Sequence, residues 1–70
     1  MKEELTQKIS VPDSAFEPFI ITTLGGFSFA VQSPKRILLG RRVFVVADWN
    51  DRLHTIPYRS VASISEYKPL

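Results

Sequence analysis

Histidine, aspartate and serine are the side chains here that could support nucleophilic chemistry. The chain has one histidine, His54, near Asp48 and Asp51, with serines elsewhere. A hydrolytic triad needs a base held by an acid beside a pocket. A small barrel is filled by its own side chains and leaves little room for one. His54 is therefore expected on the exposed face of a strand. Asp48 and Asp51 flank Trp49-Asn50. Two carboxylates fall short of the roughly 6–8 oxygens that calcium takes. Forming turns is the ordinary role of Asp and Asn. Gly25-Gly26 lacks the helix and the Lys-Ser/Thr that complete a phosphate loop. The absence of cysteine excludes disulfides and thiolate zinc sites, and a lone histidine excludes a His-rich metal site. No catalytic residue, metal or cofactor is expected, and the chain reads as a binder rather than an enzyme.

Binding chemistry is better represented. Lys35, Arg36, Arg41 and Arg42 follow one another without an intervening acid, and Arg59 comes later. Trp49 falls at a loop tip and Tyr58 in a tight turn. Basic residues interleaved with stacking rings suit single-stranded nucleic acid, and arginine pairs with phosphate and stacks better than lysine. The net charge of +2 is low for a nucleic-acid binder. An exposed tryptophan equally suits a protein interface. These seven residues, Lys35, Arg36, Arg41, Arg42, Trp49, Tyr58 and Arg59, are the candidate surface for a partner or nucleic acid.

The elements that would carry them are short. Residues 2–9 have the spacing of a two-turn helix, with Leu5 and Ile9 on one face. Val11-Pro12 stops it. Phe16 to Phe19 leads into a strand ending near Thr23, and Gly25-Gly26 marks a hairpin. Phe27, Phe29 and Val31 then alternate with Ser28, Ala30 and Gln32, the period of a strand with one buried face. Ser33 to Arg36 is a turn and Ile37 to Leu39 a short strand, with a bend or bulge at Gly40. Arg42 to Ala47 reads as a central strand buried on both sides or at an interface. Asp48 to Asp51 is a loop, Arg52 to Ile56 a partner strand that Pro57 ends, and Tyr58 to Ser60 a tight, 3₁₀-type turn. Val61 to Tyr67 closes the set, with Val61, Ser63, Ser65 and Tyr67 on one face. The chain of 70 residues is one mainly β domain. Residues 1–15 form a helix and linker, and residues 16–67 about five short strands. A small five-stranded SH3-like or Sm-like barrel would hide their edges. A domain this small buries only about 60% of its unfolded surface, which favours tight packing or a partner chain. The apolar runs are far below the roughly 20 residues of a membrane span. The acidic start, Glu3-Glu4, is unlike a secretion signal. Cytoplasmic residence, with no membrane contact, is the expectation.

The run Phe16-Glu17-Pro18-Phe19-Ile20-Ile21, then Gly26-Phe27-Ser28-Phe29-Ala30-Val31, then Pro34, resembles a largely uncharacterised group of short bacterial β-rich proteins. That resemblance implies a small β fold and no particular activity. The order of elements, and the run from Ile56 through Tyr58-Arg59 to Ile64, are similar to the Sm-like (Hfq-type) barrels. This second resemblance implies that Tyr58 and Arg59 face RNA. The sequence departs from that pattern in having Gly25-Gly26 at the first hairpin and no histidine beside Arg59. The expected function is a small binding module acting through protein–protein contact, as a homo-oligomer or an adaptor. The alternative is an Sm-like RNA-binding protein. No small-molecule substrate is indicated.

Overall fold

The computed structural model describes residues 1–67. Helix α1 (Lys2–Ile9) is followed by a 3₁₀ turn at Asp13–Ala15 and by strands β1 (Phe19–Thr23) and β2 (Ser28–Val31). A second 3₁₀ turn, Pro34–Arg36, leads to β3 (Ile37–Leu39), β4 (Val43–Ala47) and β5 (Leu53–Pro57). A third, Tyr58–Ser60, leads to β6 (Val61–Glu66). The strands form two antiparallel sheets, β2-β1-β6 and β3-β4-β5. Six strands in two open sheets thus replace the expected closed barrel of five. Among the described residues no helix is long and apolar enough to cross a membrane.

The core lies between the two inner faces. Phe19, Ile21 and Val31 come from one sheet and Ile37, Phe44, Val46 and Ile56 from the other. Helix α1 packs beside β3 and adds Leu5, which is fully buried. A two-turn helix is marginal alone and is held by this packing, with Lys8 Nζ 5.5 Å from the centre of the Phe19 ring.

Two glycines make the turns. Gly26, at φ +89°, closes the β1–β2 hairpin in a conformation that side chains disfavour. At Gly40 a Cβ would lie 2.7 Å from the Val43 carbonyl oxygen. The Gly40 N–H donates to that same oxygen at 2.8 Å. Gly40 is therefore the first residue of a tight turn through Arg41-Arg42 rather than a bulge, so residues 37–47 fold into a hairpin.

One expected face is corrected, in β6, and in β4 burial on both sides within the chain is corrected. In β4 only Phe44 and Val46 are buried, while Val43, Val45 and Ala47 are half-exposed. The strand is central in its sheet but packed on one side. In β6, Thr22 pairs with Ser63 and Thr23 with Val61, leaving Ala62 as an extra residue. That bulge reverses the alternation. Val61 and Ile64, expected on opposite faces, both pack on the core.

Candidate functional site

A cleft of about 540 Å³ opens beside β2, between it and the β4–β5 loop. Phe27, Phe29, Ala30, Arg36, Trp49 and His54 are among its walls. Strand parity places them. Phe29 pairs with Ile21, and His54 with Val46, so both project from the core faces. They lie one step beyond the sealed core, where the sheets diverge, and their rings meet with centroids 4.9 Å apart. His54 is thus on the inner face and half-buried, not on the exposed face expected of it.

Asp48 extends the same face two residues past Val46 and meets His54 as a diagonal cross-strand neighbour. Its Oδ2 lies 2.8 Å from His54 Nε2, and its Oδ1 accepts from the N–H groups of Asn50 and Arg52. These contacts hold the carboxyl at about 2, the His54 hydrogen bond first and the Arg52 N–H next. An ionised carboxylate only accepts, so His54 Nε2 donates and Nδ1 is left as the second ring position. No serine hydroxyl is bonded to His54 among the described residues: the Ser28 hydroxyl pairs with Thr22. The dyad fixes the ring and the loop, and among the described residues no side-chain hydroxyl is bonded to it.

This loop carries a pH dependence. Asp48 titrates near 3.8 when unperturbed and at about 2 in the folded chain. The unfolded state therefore takes up the proton first on acidification. The stabilisation is complete above the ordinary value and is lost as pH falls through the folded one. Thermal melts of the parent and of Asp48→Asn should differ most near neutrality and converge towards about pH 2. A gap that stays constant over that range would show that Asp48 ionisation does not hold the loop.

The seven residues expected to share one surface are divided between two. Arg36 and Trp49 border the cleft, and Lys35 adjoins Arg36. The Arg36 guanidinium pairs with Asp51 at 2.6 Å. Arg41 and Arg42 form the β3–β4 turn at the other end of β4, about 17 Å along the strand from the cleft. The Tyr58 N–H donates to the Arg42 carbonyl, which brings Arg59 to that same end. Tyr58 itself is a packing residue. Its ring meets Phe44 at 5.4 Å and its hydroxyl donates to the Gly40 carbonyl at 2.6 Å, while desolvation raises its pKa. Phe27, Phe29, Asp48 and His54 line the cleft but lay outside the seven candidate residues, and they follow from hairpin parity once the loop at residues 48–51 is placed. Among the described residues no group of His, Asp and Glu side chains could hold a metal ion.

No protein-family model, curated protein or solved structure matches the chain.

Proposed function

We propose that the chain is a non-catalytic binding module of the cytoplasm that takes a protein partner in the aromatic cleft, as an adaptor. The observation that carries this reading is the exposure of two rings on one rim: Trp49 is 78% and Phe27 67% open to solvent. Large exposed rings around an apolar cleft are costly to leave in water and are what interfaces cover. The rim is also polar, with Arg36 and Asp48 beside the rings, as expected around a binding patch.

The test places a photo-crosslinking amino acid at position 27 and, as a control, at Ser63 on the far strand of the same sheet, in cells that make the protein. Light scattering of the purified complex gives its composition. A protein adduct from position 27 and none from 63 is expected. Equal labelling at both positions, or none, would reject the reading.

A second reading, RNA bound by Arg41, Arg42 and Arg59, is favoured by their meeting at one end with no ion pair among the described residues. It lacks a ring to stack on, since Tyr58 is committed to Phe44 and Gly40. Co-purified RNA that is lost with Arg41→Ala/Arg42→Ala, and whose binding falls steeply with salt, would move the conclusion to this reading.

A further inference from the structure

The cleft is lined by consecutive residues of β2, including Ser28, Phe29 and Ala30. A cleft over one face of a strand would take alternate residues. Consecutive ones mean that it runs along the strand's edge. β2 is the outermost strand of its sheet, paired among the described residues only with β1.

The hydrogen-bond phase of that edge follows from its turn. The Thr23 N–H donates to the Phe27 carbonyl at 2.8 Å, so Thr23 and Phe27 form a hydrogen-bonded pair. Antiparallel ladders alternate, so Phe29 and Val31 also direct their backbone groups to β1. The N–H and C=O groups of Ser28, Ala30 and Gln32 point away from it, and all three residues line the cleft. The opposite side of β1 agrees: Tyr67 N–H donates to the Pro18 carbonyl, which places Pro18, Ile20 and Thr22 in the phase facing β6.

Exposed edges are ordinarily blunted by proline, lysine, a bulge or a covering element. β3 has helix α1 beside it, and β5 ends in Pro57, which has no N–H to offer. β6, the other edge of the β2 sheet, contributes no residue to the cleft. Ser28-Phe29-Ala30-Val31-Gln32 carries no charge and no proline. Its edge borders the aromatic cleft.

Charge selects among possible occupants. Lys35 and Arg36 lie just past the Gln32 end of the edge, and Arg36 lines the cleft. Its partner Asp51 is 82% exposed, so the ion pair is weak and exchangeable. A second copy of this chain, paired antiparallel through β2, would set these cations against the other copy's Thr23-Leu24-Gly25-Gly26, which holds no acid. An acidic peptide meets them directly.

Resting on the protein-partner reading, we infer that the partner enters as an extended peptide added as a fourth strand to the free edge of β2. It presents a large apolar side chain to the pocket of Phe29, Trp49 and His54, and an acidic residue to Arg36 and Lys35. Main-chain hydrogen bonds to Ser28, Ala30 and Gln32 supply affinity, and the pocket and cations supply selectivity.

The probe is a phage-displayed library of random linear 12-residue peptides selected on the full chain, with one enriched peptide then made synthetically. Enriched sequences should share a large apolar residue, β-forming neighbours and Asp or Glu to one side. N-methylating alternate peptide residues should weaken binding about tenfold in one phase and little in the other, since only one phase donates to β2. Ala30→Pro should weaken it comparably, because that N–H faces outward and its loss spares the β1 ladder. Asp51→Asn should tighten it by freeing Arg36. If Ala30→Pro does not fold, the N-methylated peptides decide. Peptides that bind equally in both phases would overturn strand addition while leaving the cleft as a protein site. Failure to enrich any peptide would overturn it too, as would a dimer abolished by Ala30→Pro, which would make a second copy the occupant. Loss of the position-27 adduct rejects the protein-partner reading itself, so the two failures are distinct.

Discussion

Replacing Phe44 with alanine is expected to remove a large share of the protein's stability. Phe44 is fully buried in the middle strand of its sheet, paired with Leu39 on one side and Ile56 on the other. Its ring also supports Tyr58, whose hydroxyl closes on the Gly40 carbonyl. Truncating a buried phenylalanine costs about 3–5 kcal/mol through lost transfer energy and the cavity left behind. A chain of 70 residues has roughly 3.5–10 kcal/mol in all, at about 0.05–0.15 kcal/mol per residue. The loss takes about three-tenths of that at the least, and most of it over much of the range. No disulfide offsets it. Far-UV circular dichroism during urea titration reads the effect. A variant with a cooperative midpoint near that of the parent would mean that the two sheets do not share one core through Phe44.

That shared core explains why the strand pattern was legible in the sequence and the architecture was not. Alternation marked β2 because side-chain period reports burial directly, while β1 and β5 were marked by their β-forming residues and by the turns beside them. The turns at Gly25-Gly26, Pro34 and Asp48 to Asp51 were legible because each rests on local chemistry: a positive φ, a fixed φ, or a side chain bonding its own backbone. Barrel closure is a different kind of property. It depends on whether the outer edge of β2 finds another strand, and nothing within residues 27–32 encodes the answer. The Ala62 bulge was equally hidden, since it follows from the partner strand's register. His54 was misplaced for a related reason. Its neighbours Leu53 and Thr55 are exposed and Ile56 is buried, so parity alone put it inward. The polarity of the side chain argued the other way. Burial of a polar group needs a partner, and the partner, Asp48, is visible only once the two are set diagonally across the hairpin.

Trp49 was expected from the sequence as a loop-tip ring suited to an interface, and its removal should separate binding from folding. The loop that carries it is held without the indole. Asp48 accepts from the N–H groups of Asn50 and Arg52, the Asp48 N–H donates to the Arg52 carbonyl, and Asp51 takes the left-handed turn at φ 60°. With the ring 78% exposed, Trp49→Ala should change stability by no more than about 0.5 kcal/mol, the usual range for surface substitutions. Binding should respond on another scale. An aromatic anchor at the centre of an interface is worth about 2 kcal/mol or more, which is about a 30-fold rise in Kd. The contrast matters because a ring that served as a lid over the open mouth of the core would give the opposite pair of results. Paired measurements on one preparation, a thermal melt and a titration with the partner or an enriched peptide, distinguish them. A melting temperature that drops by several degrees while affinity holds would make Trp49 a cover for Phe29 and His54, and the cleft would then have to recognise its partner through the β2 edge alone.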